Sequence, residues 1–230
     1  LTAGLACAIL KKHDRAINGF RMPRMKKGEL TRNAIVASAL ELAGLEGLEG
    51  ITLGKLAERM AMSKSGVFAH FGSREELQIA VLKAHERRFA DDVLLPALSR
   101  PRGLPRVRAI VERWIEHTGT AGGSGCLWIG GASELDDRPG PVRDVLVGMV
   151  RGWQRELMRA IAQAVEAGEL RADLPPGDLL AELFGVVLVL HHDRWLLRSP
   201  DALERARRVA DRLLVAAAAP SRRPRAAPSR

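Results

Sequence analysis

Tyrosine is absent from the 230 residues, cysteine occurs only twice, and aromatic side chains make up 4% of the chain. Cys7 and Cys126 cannot build a disulfide framework, so the chain reads as one suited to a reducing cytoplasm. Long apolar runs are missing too. A membrane-spanning helix needs about 20 apolar residues, whereas residues 179–190 stop short of that and carry Glu182, so they read as a buried helix. The apolar residues 5–10 are followed by Lys11 and Lys12, the reverse of signal-peptide order. No internal repeat and no alternation of strands with helices is visible.

The net charge of +9 sits at the two ends. Lys11, Lys12, Arg15, Arg21, Arg24, Lys26 and Lys27 against Asp14 make residues 1–27 strongly basic, and Arg222, Arg223, Arg225 and Arg230 do the same for the tail. The remainder is close to neutral, so charge alone does not point to nucleic acid and the local pattern has to decide. Residues 1–27 read as a disordered or over-extended arm, with Met22 and Met25 as alternative starts; residues 219–230 read as a disordered basic tail.

Between the ends the apolar spacing is helical throughout. Thr31 caps a first helix with Ile35, Ser38, Leu42 and Leu45 on one face, stopped by Gly47 and Gly50. Thr52 caps a short helix to Met60, Ser63 opens another that ends at Phe71 and Gly72, and Ser73 with Glu76 forms a capping box for a long helix to Leu94. Helices follow over 107–118, 126–134, 141–167, 176–198 and 200–217. The expectation is an all-α chain of nine helices: a three-helix DNA-binding head over 28–75, then a six-helix effector-binding and dimerisation body over 76–218.

Two short helices joined by a few residues cross steeply, which is how a helix-turn-helix offers its second helix to the major groove. Lys64, Ser65 and Gly66 are small or polar groups at the start of that second helix, and no acid occurs from Arg59 to Arg74. Thr52, Ser63 and Ser73 mark helix N-termini whose amides can hold phosphates.

Ser63-Lys64-Ser65-Gly66-Val67-Phe68-Ala69-His70-Phe71, followed by Gly72-Ser73-Arg74-Glu75-Glu76-Leu77, resembles the DNA-binding head of TetR-type repressors. The resemblance is strong over 31–81 and reaches the body only in helix number and length. It implies a homodimer on a palindromic double-stranded operator, with Thr52, Lys64, Ser65, Gly66, Phe68, His70 and Arg74 as DNA contacts. Three positions depart from the family pattern: Phe68 replaces a phosphate-binding tyrosine, Ala61 a turn glycine, and Gly66 a threonine.

In the body, the helix over 176–198 is apolar nearly all round, so it needs a second apolar surrounding or a place at the centre of the body. In TetR-type proteins the last two helices pair with their copies in a four-helix bundle, which implies Leu183, Phe184, Val187, Leu188, Leu203, Ala210 and Leu213 as the dimer interface. All four tryptophans lie in the body. Trp114, Cys126, Trp128, Ile129, Met149, Trp153 and His191 outline a region for a small, mainly apolar effector, with ordinary core packing as the alternative for each.

Catalysis finds no support. Adjacent His191, His192 and Asp193 diverge on a helix, His117 and Cys126 lack an orienting motif, and the glycine-rich residues 119–125 lack the Lys-Ser/Thr of a phosphate loop. No catalytic residue, metal or cofactor is expected, and no membrane. The competing class is an all-helical small-molecule protein with an incidental helix-turn-helix. Salt-dependent binding to a palindromic duplex separates the two.

Overall fold

The computed structural model describes residues 27–120 and 126–220. Nine helices, and no strand, make up the described residues: α1 Lys27–Glu46, α2 Leu53–Arg59, α3 Lys64–Phe71, α4 Arg74–Phe89, α5 Leu104–Thr120, α6 Leu127–Leu135, α7 Pro141–Glu166, α8 Pro176–His191 and α9 Ala202–Ala217. None is long and apolar enough to cross a membrane. The arm before Lys27 and the tail after Pro220 lie outside the described residues.

α1 begins at Lys27, before the expected cap; the Thr31 hydroxyl donates back to the Lys27 carbonyl at 3.1 Å instead of capping. Its inward face is Ile35, Val36, Ala39, Leu42 and Ala43, while Leu45 is 68% exposed. Later caps follow the sequence. Thr52 Oγ1 accepts from the Lys55 amide at 3.2 Å, Ser63 Oγ from the Gly66 amide at 3.0 Å, and Ser73 Oγ from the Glu76 amide at 3.0 Å. Each satisfies an amide that the first helical turn leaves unpaired.

The turn of the helix-turn-helix is a Schellman closure. The Ala61 amide donates to Glu58 O at 3.1 Å and the Met62 amide to Ala57 O at 2.8 Å. That closure puts Ala61 at φ 52, a left-handed conformation in which its Cβ is crowded. Ala61→Gly should therefore raise unfolding stability by about 1 kcal/mol, read as a shifted denaturant midpoint with unchanged slope.

The described chain divides into two compact units, one of residues 27–88 with 126–155, the other of 89–120 with 156–220, the divisions falling within α4 and α7. This differs from the expected boundary near residue 75. In the first unit α6 packs close to the loop after α1: a Cβ at Gly131 would lie 2.8 Å from Leu48 Cδ1, so the buried leucine would have to shift to admit one. In the second unit α5, α8 and α9 pack on one another. Gly119 lets α9 approach α5, because a Cβ there would fall 2.6 Å from Leu203 Cδ1. Arg207 ties α9 to Glu112 and Glu116 of α5.

Two helices run on as π-turns that spacing alone does not reveal. α4 continues through Ala90–Leu94 into a last α-turn, Leu95–Leu98, past the expected end at Leu94. Pro96 sits in that last turn and lacks an amide for the Asp92 carbonyl, which instead accepts from Arg113 at 3.4 Å. α8 ends at His191 and passes through His192–Leu196 to Arg198, at φ 57. The last helix starts at Ala202, a little after the expected Ser199-Pro200.

Candidate nucleic-acid interface

α3 owes its position to two buried side chains, Val67 and Phe71, and to its two ends. Ser63 caps the start, while Gly72 closes the other end in a left-handed turn at φ 74, donating to Phe68 O at 2.7 Å. The Arg32 guanidinium lies 4.8 Å from the Phe71 ring centroid, tying α1 to the end of α3. With Val67 and Phe71 inward, Lys64, Ser65, Phe68 and Ala69 are exposed and Gly66 and His70 half-exposed.

Phe68 is the unusual member, 48% exposed on a helix whose other aromatic is buried. Lys64 runs its aliphatic stem beside Gly54 of α2, where a Cβ would lie 3.3 Å from Lys64 Cε, and makes no ion pair among the described residues. Ser65 Oγ is 3.1 Å from Ser63 Oγ. A side chain at Gly66 would press on the cap, its Cβ 3.1 Å from Ser63 Oγ. Thr52 caps α2, the other helix of the motif. The ring of His70 tilts against Phe71 with centroids 6.4 Å apart.

Arg74 is placed differently from the other sequence candidates. Its Nε donates to Ile51 O at 2.9 Å, and its Nη2 donates to Glu49 O and reaches the Glu49 carboxylate at 3.3 Å. The guanidinium thus ties the residue after the motif to the loop before it. Arg59 is likewise engaged, with Glu41 at 2.6 Å, and Lys55 pairs with Glu46. Absence of acid from residues 59–74 therefore does not leave each base in that stretch unpaired; the acids come from α1 and its following loop.

The effector-region residues divide between the units. Cys126, Trp128, Ile129, Met149 and Trp153 are in the first; Trp114 and His191 are in the second. Trp128 is buried edge-on to His85, centroids 5.4 Å apart, and Cys126 Sγ lies 3.8 Å from His85 Nε2. Burial pushes the Cys126 thiol up to about 11, so it is a neutral, apolar group at physiological pH. Trp114 packs edge-on to Phe184 at 4.6 Å. His191 is half-buried, and burial, aided by neighbouring His192, holds its pKa below the usual imidazole value. Beside α6 and α7 an open groove of about 320 Å³ is floored by Leu135, Leu146, Val147 and Val150 and edged by Arg143 and Arg151.

The proposed dimer residues also separate. Leu183, Val187 and Ala210 are buried in their own chain, and Phe184 is turned toward Trp114. Leu203 and Leu213 are half-buried. Leu188 is 48% and Val189 57% exposed, and Val186, Val189 and Val209 line an apolar groove of about 200 Å³ between α8 and α9.

A family model described as bacterial regulatory proteins, tetR family, matches residues 35–81, the helix-turn-helix and its flanks. A second, described as tetracyclin repressor-like, C-terminal domain, matches residues 103–210. The chain is 26% identical over 161 residues to the transcriptional regulator AcuR of Cereibacter sphaeroides, covering 68% of this chain and 72% of that one. A TetR-family regulator from Cytophaga hutchinsonii superposes with a TM-score of 0.73 at 16% identity, over 86% of this chain and all of that one. The structure of AibR in complex with isovaleryl coenzyme A and operator DNA gives a TM-score of 0.62 at 23% identity, over 80% and 95%. Head and body match the same family in their order along the chain, and the protein belongs to the TetR family of DNA-binding transcriptional regulators, which are not enzymes.

Proposed function

We propose that the chain acts in the cytoplasm as a homodimeric repressor that holds a palindromic operator and leaves it when a small, mainly apolar effector binds. The observation that carries this reading is the outward side of α3. Lys64 supplies a phosphate-neutralising charge, Ser65 a hydrogen-bonding hydroxyl, and Gly66 a backbone that can approach base edges. Exposed Phe68 has no hydroxyl for a phosphate and suits the apolar methyl of thymine. Thr52 and His70 complete the contact set; Arg74 is left out of it, its guanidinium being engaged by loop carbonyls.

Dimerisation is supported by the exposed apolar side chains of α8, Leu188 and Val189, beside the α8–α9 groove. Two copies joined there would present two α3 helices, and operator half-sites are read about 34–36 Å apart.

The effector is assigned to the first unit, around Trp128, Ile129, Met149 and Trp153, where the aromatic and aliphatic surroundings favour an acyl or aromatic group. Isovaleryl coenzyme A, the compound in the AibR complex, is a suitable first probe. Titrating tryptophan fluorescence with it, and with a panel of acyl and aromatic compounds, should identify a binder whose affinity falls about 5–150-fold on the operator-bound dimer, a coupling of about 1–3 kcal/mol. Linkage demands that the same compound weaken operator binding by the same factor. Equal affinity for the two states, for every binder in the panel, overturns release by ligand.

A further inference from the structure

Just before the helix-turn-helix, the loop between α1 and α2 turns its backbone polar groups inward. The Leu48 amide donates to Glu134 Oε1 at 3.1 Å and the Glu49 amide to Glu134 Oε2 at 2.7 Å, so one carboxylate at the end of α6 takes two consecutive amides. The Leu48 carbonyl accepts from Gln78 Nε2 at 2.8 Å, a buried bond from α4. Arg74 holds the carbonyls of Glu49 and Ile51. Glu49 in turn places its carboxylate 3.5 Å from Arg138, in the turn after α6.

The fit is built from both sides. Gly47 takes φ 79, and a Cβ there would fall on the Glu134 carboxylate. Leu48 is fully buried, with its side chain against Gly131, one helical turn before Glu134. Only two residues separate Glu49 from the Thr52 cap of α2, and Arg74 directly follows the α3 cap region. Both ends of the DNA-reading motif therefore meet at the loop held by Glu134.

We propose that Glu134 is a positioning residue that latches the helix-turn-helix to α6, so that displacement of α6 is delivered to the recognition helix through two backbone amides. The inference rests on the reading of α6, which carries Trp128 and Ile129, as part of the effector region and of α3 as the DNA reader. A carboxylate is the group that can accept both amides at once. A glutamine has one acceptor oxygen and would turn an NH2 toward one of the two donors. The latch can thus be cut without altering side-chain size or helix propensity.

The test is amide hydrogen exchange on the full chain, wild type and Glu134→Gln, alone and with a duplex selected by the protein from random-sequence DNA. Alone, Glu134→Gln should speed exchange at Leu48 and Glu49 by about tenfold or more, as expected when local hydrogen bonds open, while the interior of α1 keeps its protection. Gly47→Ala, which pushes on the carboxylate from the other side, should give the same local effect. In the wild type the duplex should slow exchange across α6 as well as α3; in Glu134→Gln the slowing should persist in α3 and vanish from α6. Unchanged exchange at Leu48 and Glu49, or slowing of α6 that survives the substitution, overturns the latch. If the wild-type α3 gains no protection from any selected duplex, the DNA-binding reading fails instead, and the exchange at Leu48 and Glu49 in the DNA-free chain still decides whether Glu134 holds the loop.

Discussion

Val189→Glu should convert the protein to a monomer at micromolar concentration and remove operator binding, while Phe184→Glu should lower the folding stability of the single chain. Val189 is 57% exposed in the single chain, so a glutamate there is harmless to a monomer and meets desolvation only where a second copy covers it. Covering an unpaired charge costs several kcal/mol even after relaxation, and each 1.4 kcal/mol is tenfold in a dissociation constant. A dimer held at nanomolar affinity would thus fall to the micromolar range or beyond. Phe184 differs because it packs on Trp114 inside the second unit. Phe184 is only half-buried, so a glutamate there gives up the edge-on ring contact, worth about 0.5–1.5 kcal/mol beyond area burial. Sedimentation and thermal unfolding of the two variants separate these outcomes. If Val189→Glu stays dimeric, the α8 face is not the interface.

The second large effect is a contrast between two basic residues that the sequence treats alike. Lys64→Ala should lower operator affinity and flatten its salt dependence. Each phosphate contact contributes about 0.9 to the slope of log affinity against log salt, so loss from both chains of a dimer should reduce it by about 1.8. Arg74→Ala should leave the slope unchanged and lower stability by about 1–3 kcal/mol, the range for hydrogen bonds from a charged donor. Its pair with Glu49 adds little, since both side chains are 41% exposed. A reduced slope in Arg74→Ala would return that residue to the DNA contacts.

The contrast shows where sequence reasoning reaches and where it stops. Thr52, Ser63 and Ser73 were legible as caps because a cap bonds an amide only three residues ahead, so its signal is local. The fold class was legible for a similar reason, from apolar spacing within each helix. The loop bonds of Arg74 were not legible because their acceptors, 23 and 25 residues back, belong to a loop whose shape no periodicity encodes. Glu134 gave no signal at all, its amide partners lying 85 and 86 residues away; of the two glycines that make room, Gly47 reads only as a helix stop and Gly131 falls inside an expected helix. The helix over Pro176–His191 was recognised as needing two apolar surroundings, but an all-round apolar pattern cannot say which side faces its own core. Hence neither the burial of Leu183 and Val187 within the chain itself nor the exposure of Val189 is legible from the pattern.

On this reading α3 recognises a palindrome as one of a pair. The most direct test is the affinity of the wild-type protein for a duplex that it selects from random-sequence DNA, measured across a range of salt concentrations together with the mass of the complex. The selected sequence should contain two inverted half-sites about 10 base pairs apart centre to centre, or a multiple of that spacing. Two chains should bind each duplex, and log affinity should fall linearly with log salt. Selection of no common sequence, or binding that is indifferent to salt, would contradict the account.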